Sequence, residues 1–226
     1  MCGRYALYGP RSRSRAEAEY FATLDQFPEK WNVAPTDSMP IARSREGAVE
    51  LVSARWGLIP SFSKDAKGAF RCINARAETV ATTASFREAW KRGQRCLVPA
   101  NGFYEWEDRP DGKQPFYFTG AEGVLLAFAG LWDIWRQPDG APLLSYTIIT
   151  TAPNDFVRRF HDRMPVVLDE ADYARWLQGE DVGDLLRACH NEALVNFPVS
   201  RRVNSVRNND ASLVEPTVPD PSSSAP

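Results

Sequence analysis

The sequence predicts an α+β fold: a single domain with a β-rich, barrel-like mixed sheet core flanked by short helices. Three observations carry this expectation. Short apolar runs bounded by turn residues recur along the chain and outnumber helical patterns. They do not alternate with helices, which argues against a succession of βαβ units. The 226 residues, 43% hydrophobic and 25% charged, have an ordinary globular composition and enough length for one large core. The domain is expected over residues 1–215, followed by a disordered Pro- and Ser-rich tail over 216–226.

Each element follows from local chemistry. Residues 15–26 place Ala18, Phe21, Ala22 and Leu24 on one helical stripe, and Pro28 stops the helix. Residues 39–44 and 48–56 read as strands joined by a turn at Arg45, Glu46 and Gly47. A helix is expected over 84–92, with Ser85 as N-cap and Glu88 completing a capping box. Strands are expected over 94–99, 102–107, 115–119, 124–132 and 143–150. Residues 154–160 suit a short helix. Another is expected over 170–177, with Asp169 as N-cap and Gly179 just beyond its end. A further helix is expected over 181–189, and extended chain over 194–199 and 203–206.

Charge sharpens the picture. The chain carries 27 Lys+Arg against 29 Asp+Glu, a net charge of -2, which excludes a protein that is basic all over. Residues 1–100 alone carry +6 and residues 101–226 carry -8. Arginine outnumbers lysine 22 to 5, which suits bidentate phosphate contacts but equally reflects codon bias. Four cysteines without a Cys-x-x-Cys pair, and two histidines, give no metal motif. No secretory leader and no membrane-length apolar run is present, so a cytoplasmic protein with reduced thiols is expected.

Four positions can carry chemistry. Cys2 follows Met1, and removal of Met1 would leave a cysteine whose α-amine and thiol sit on adjacent carbons. An α-amine titrates near ~7.7–8.0. It can form an imine with an aldehyde, and the thiol can then close a five-membered thiazolidine. An N-terminal cysteine can instead attack an amide with its own amine as base, and a plain terminal cysteine does neither. Glu105 lies in Asn101-Gly102-Phe103-Tyr104-Glu105-Trp106. As a strand this puts Glu105 on the face of Phe103 and Glu107, with Tyr104 and Trp106 opposite. A carboxyl among aromatics can act as acid or base, and an exposed one is merely solvated. His161, in a loop between a short helix and an apolar run, is suited to proton transfer or to bonding local backbone. His190 reads as structural. In Cys72-Ile73-Asn74-Ala75-Arg76, strand alternation sets Asn74 and Arg76 on one face, an oxygen-binding amide beside a phosphate clamp.

Taken in order, the segments resemble the SRAP family, the "SOS response-associated peptidase" domain of abasic-site shielding proteins. They are Met1-Cys2-Gly3-Arg4-Tyr5, Trp31-Asn32-Val33-Ala34-Pro35-Thr36, Arg55-Trp56-Gly57-Leu58-Ile59-Pro60 and Asn74-Ala75-Arg76-Ala77-Glu78. The series continues with Arg95-Cys96-Leu97-Val98-Pro99-Ala100, Gly102-Phe103-Tyr104-Glu105-Trp106, Gly130-Leu131-Trp132 and Thr150-Thr151-Ala152-Pro153-Asn154. It ends with His161-Asp162-Arg163-Met164-Pro165, Val203-Asn204-Ser205-Val206-Arg207-Asn208 and Leu213-Val214-Glu215-Pro216. The resemblance implies single-stranded DNA with abasic sites as partner, replication forks and the nucleoid as setting, a monomer, no cofactor and no metal. It implies that Cys2 forms a reversible thiazolidine cross-link with the ring-opened sugar by lyase-like Schiff-base chemistry. By the same resemblance Asn74 positions Cys2 or its sugar partner, and Glu105 and His161 move protons. Arg4, Arg76 and Arg163 hold phosphates, and Pro35, Trp56 and Trp106 lie against flanking bases. The family's peptidase label is tied to unmasking the N-terminal cysteine. Because only Met1 precedes Cys2, an aminopeptidase would suffice and autopeptidase activity is not required.

Two rival functions stand beside it. One is an N-terminal-nucleophile amide hydrolase of glutaminase type, for which Asn101-Gly102 offers an oxyanion pair. The other is a non-covalent single-stranded DNA-binding module, which would bind intact and abasic strands alike.

Overall fold

The computed structural model describes residues 2–9 and 19–217. Twelve strands follow in order: β1 (Tyr5–Leu7), β2 (Lys30–Val33), β3 (Ser38–Arg45), β4 (Ala48–Trp56), β5 (Asn74–Arg76) and β6 (Arg95–Ala100). After them come β7 (Gly102–Arg109), β8 (Gly112–Gly120), β9 (Leu126–Arg136), β10 (Pro142–Thr151), β11 (Met164–Pro165) and β12 (Leu194–Pro198). The mixed α+β, β-rich architecture expected from the sequence is what the chain adopts.

Five strands close into a ring. β3 pairs antiparallel with β4 and β6, β6 with β9, and β9 with β10; a parallel contact between β10 and β4 completes the barrel. β10 runs on past the ring and holds β5 in parallel at Ile148↔Asn74 and β11 antiparallel at Thr151↔Met164. A second sheet, in the order β12-β8-β7-β1-β2, lies beside the barrel. The β3–β4 turn is Glu46-Gly47 at φ +53° and +83°, the two left-handed positions of a two-residue hairpin turn whose twist matches its strands.

Strand alternation decides the packing of the second sheet. Phe103, Phe116 and Phe118 face the main core, where the Phe103 ring stacks on Phe118 with centroids 5.0 Å apart. Tyr104 and Tyr117 point the other way, against Val199, Val203 and Leu213 of the C-terminal segment. Gly102 opens β7 where these layers meet. A Cβ there would stand 2.2 Å from the Phe118 carbonyl and 2.5 Å from the Tyr117 ring. Gly102→Ala should therefore cost about 1–3 kcal/mol of stability through overpacking. Denaturant titration checks this, and an unchanged midpoint would mean that the hairpin yields freely.

Most strands fall where expected, with ends moved by a few residues. The differences have local causes. The helix expected over 84–92 is Arg87–Lys91, capped at Phe86; the Phe86 and Arg87 amides both donate to the Thr83 carbonyl, so no Ser85 capping box forms. Over 170–177 a 3-10 turn, Glu170–Asp172, precedes the helix Tyr173–Gln178, and the Asp169 side chain makes no cap bond. Of the helix expected over 181–189 only the 3-10 turn Gly183–Leu185 forms: the Leu185 amide donates to the Val182 carbonyl, while Arg175 bonds the Asp181 carbonyl and the Asp184 carboxylate. Residues 203–206 are not extended: Arg201–Asn204 is a 3-10 turn, and the Val203 and Ser205 carbonyls accept from Asn32. Of the expected helix over 15–26, residues 15–18 lie outside the described residues, while Glu19 and Tyr20 are helical and Leu24–Gln26 is a 3-10 turn. Pro216 bridges Val199, and the tail from 218 onward lies outside the described residues. Among the described residues, no helix is long and apolar enough to cross a membrane.

Candidate functional site

Three chain segments deliver the site. β1 pairs with β7 at Tyr5↔Phe103 and Ala6↔Gly102, and the Tyr104 amide donates to the Arg4 carbonyl. Carried one step further, this register sets Gly3 opposite Glu105 and leaves Cys2 beside it. β5 brings Asn74, whose Nδ2 donates to the Cys2 carbonyl at 2.8 Å. The loop between the helix Asp155–Arg158 and β11 brings His161, whose amide donates to the Val157 carbonyl. β10 is the common rail, since β5 and β11 both pair with it.

A pocket of about 400 Å³ opens beside the His161 loop, lined among the described residues by Glu105, Trp106, Lys113, His161 and Asn204. Cys2 is fully buried, its thiol 3.8 Å from the Arg4 carbonyl. Burial pushes the thiol far above its ordinary range, and the negative charge of Glu105 adds to the shift. The sulfur is thus a thiol at neutral pH and needs a base before it can attack. Glu105 is 2% exposed, and burial raises its carboxyl to about 7. The positive chain N-terminus and Lys113 pull it down, while Asp162 pushes it up. Among the described residues Glu105 Oε1 and Asn74 Oδ1 are buried with no hydrogen-bond partner. Two orphaned acceptors at one site are costly in a folded core and suit atoms that await a substrate.

His161 is held below the ordinary imidazole range by burial first and by the N-terminal charge second, with Asp162 opposing. Its Nδ1 accepts the Arg163 amide at 2.9 Å, and an Asp162 carboxylate oxygen stands 2.8 Å from the same nitrogen. Neutral imidazole accepts at Nδ1 only with its proton on Nε2, whereas imidazolium would donate to Asp162. The two contacts belong to the two protonation states.

The structure sorts the remaining sequence candidates. Trp56 is a correction: it is fully buried, edge-on to Tyr5 with centroids 5.2 Å apart, and its Nε1 donates to the Ile73 carbonyl. A ring with no exposed face cannot stack on a base. Trp106 is half-buried in the pocket wall, its Nε1 bonded to Asn204 Oδ1 at 2.7 Å. Pro35 is half-buried in the tight turn Ala34–Asp37, where Thr36 takes φ +81°, a strained value for a β-branched residue. Arg76 is exposed at the end of β5. Arg4 is engaged through Nη1 with Asn32 Oδ1 and the Val203 carbonyl. Arg163 is already paired: Glu78 takes both of its terminal nitrogens at 2.6 and 2.9 Å, and the Thr150 carbonyl accepts a third bond. The suggested oxyanion pair also fails at its first member, because the Asn101 amide donates to the Ala6 carbonyl.

Sequence reasoning missed several contributors. Asn32 is fully buried, and its Nδ2 donates to the Val203, Ser205 and Asn208 carbonyls, which closes the C-terminal segment over β1 and β2. Asn204 rides on that segment into the pocket wall. Asn32 and Asn204 both stand in the motif segments, but no local pattern reveals a bond across some 170 residues. Exposed Phe62 lines a second concavity of about 410 Å³ together with Lys64, Arg71 and Cys72, two residues before Asn74.

Known proteins resemble the chain over most of its length. Residues 1–206 match the family described as SOS response associated peptidase (SRAP). The chain is 35% identical over 223 residues to "Abasic site processing protein YoqW" of Bacillus subtilis (strain 168), covering 95% of this chain and 99% of that protein. It is 31% identical to "Abasic site processing protein HMCES" of Gallus gallus, covering 96% of this chain and 78% of that protein. A crystal structure of a protein from Bacteroides thetaiotaomicron superposes with a TM-score of 0.76 at 26% identity, covering 91% of this chain and 92% of that one.

Proposed function

The chain belongs to the SRAP family, and from that premise we propose that it processes abasic sites in single-stranded DNA by a covalent thiazolidine cross-link through Cys2. The observations that carry this proposal are that Asn74 bonds the Cys2 carbonyl, that the charge of buried Glu105, whose Oε1 has no hydrogen-bond partner, acts on the Cys2 thiol, and that Glu105 and His161 line one pocket.

The chemistry balances with these groups alone. Once Met1 is removed, the neutral Cys2 amine attacks C1′ of the ring-opened sugar and gives a carbinolamine. An amine that starts as its ammonium form first gives that proton to neutral His161, which passes it to water and returns to the neutral form. Protonated Glu105 gives its proton to the carbinolamine hydroxyl, which leaves as water, and an iminium forms. The Glu105 carboxylate then takes the thiol proton, and the sulfur closes on C1′. One aldehyde and one aminothiol become one thiazolidine and one water, and Glu105 ends protonated as it began. A carboxyl titrating at about 7 can serve in both directions near neutral pH. Asn74 holds the Cys2 backbone through Nδ2, and its free Oδ1 can accept from the amine or from a sugar hydroxyl. Exposed Arg76 meets phosphate, and exposed Phe62 offers the stacking surface that Trp56 does not.

The test is direct. Protein freed of Met1, mixed with an oligonucleotide carrying one abasic site, should give a slower band on a denaturing gel, and an intact oligonucleotide should not. The same protein with an uncleaved N-terminal extension should give none, because its α-amine is an amide. Equal cross-linking by the extended protein would exclude the amine route. Absence of any adduct from the processed protein would overturn the proposal.

A further inference from the structure

Lys113 lines the pocket with Glu105 and His161, yet it belongs to none of the motif segments. It is one of five lysines and the only one beyond residue 91. On the β7–β8 hairpin it stands directly across from Asp108, with its Nζ 3.2 Å from that carboxylate and both side chains largely exposed, at 65% and 83%. An exposed pair of this kind is weakly held and exchanges readily. The neighbouring cations are more fully committed: Arg109 is 2.6 Å from Glu107, and Arg201 is 2.6 Å from Asp111. Among the described residues that line the pocket, Lys113 is the one permanent cation.

We propose that Lys113 is a DNA-binding residue of this site, whose ammonium leaves Asp108 for a backbone phosphate of the strand that places its abasic sugar in the pocket. The assignment rests on the function proposed above. It also couples strand binding to proton transfer. The charges acting on Glu105 are the chain N-terminus, Asp162 and Lys113, and the same three act on His161. Lys113 holds both groups down in the free protein. A phosphate on its ammonium cancels that pull, so binding raises both. Glu105 is thereby loaded with the proton that dehydration of the carbinolamine consumes.

Binding can be measured without the covalent step. The affinity for a fluorescent single strand carrying one tetrahydrofuran abasic analogue, which has no aldehyde and forms no imine, is followed by anisotropy over a salt series. Lys113→Gln should weaken binding severalfold and reduce the slope of log Kd against log salt by about 0.7, the signature of one single-strand phosphate contact. Asp108→Asn, which frees the ammonium, should act in the opposite direction and tighten binding. With a reactive abasic strand at subsaturating concentration, where the rate reports the groups of the free protein, Lys113→Gln should move the pH midpoint of cross-linking upward, a change that mere loss of packing would not produce. An unchanged salt slope in Lys113→Gln, or an Asp108→Asn variant weakened like it, would overturn the assignment while normal cross-linking by the parent protein upholds the covalent function. Conversely, a parent protein that forms no adduct leaves the salt-slope comparison fully interpretable.

Discussion

Cys2→Ala should give no stable adduct with abasic single-stranded DNA at any time or concentration, while folding normally. The loss is total because both ring-forming atoms matter: alanine keeps the α-amine but has no sulfur to trap the imine, which water reverses. Cys2→Ser separates the two steps. It should form an imine that borohydride traps, and no adduct that survives without reductant. A durable adduct from either variant would refute ring closure by sulfur. Folding is expected to persist because Cys2 is a small buried side chain whose thiol makes only a long contact to the Arg4 carbonyl. The position of its backbone is set by Asn74 and by the pairing of β1 with β7.

Glu105→Gln should slow cross-linking by about two to four orders of magnitude, the range removed with a general acid or base. The same change should stabilise the protein above neutral pH. The sign follows from linkage: burial raises the carboxyl from 4.5 to about 7, so the unfolded chain releases its proton first. Folded stability is then unaffected by this group below about pH 4.5, falls as pH rises from there to 7, and stays reduced above. A rise of this size corresponds to about 3 kcal/mol above pH 7. Glutamine, neutral throughout, escapes that loss. Denaturant unfolding of both proteins at pH 4 and pH 8 checks the claim: the variant should gain at pH 8 and lose most of its advantage at pH 4. An equal difference at both pH values would show that the Glu105 carboxyl does not titrate there. Loss of rate with gain of stability marks a group kept for chemistry against the interest of the fold.

The chemical identities of the site were legible in the chain because they are local. An aminothiol needs only Met1-Cys2. The alternation that turns Glu105 and Phe103 to one face and Tyr104 and Trp106 to the other is a property of four consecutive residues, and the structure keeps it. The Arg45-Glu46-Gly47 turn was legible for the same reason. β1, β2 and β11 have two to four residues each, too few to show a period, and only partners hold them as strands. The Ser85 capping box and the helix over 181–189 satisfy sequence rules, but in the fold the Phe86 and Arg87 amides donate to Thr83 and the Leu185 amide to Val182 instead.

The arginines and tryptophans mark the boundary most clearly. From sequence, Arg4, Arg76 and Arg163 are equivalent phosphate clamps. In the fold only Arg76 stands exposed, while Arg163 is tied to Glu78, 85 residues away, and Arg4 to Val203, 199 residues away. Trp56 and Trp106 look alike in their motifs, and burial separates them. The sequence by itself determined which reactive groups the protein owns, where its longer strands run and how its hairpins turn, since these depend on neighbours a few residues apart. The tertiary structure alone decided which charges are spent on internal partners, which aromatic faces meet solvent, and that Lys113 shares a pocket with Glu105 and His161. Burial and long-range pairing are set by residues that only folding brings together.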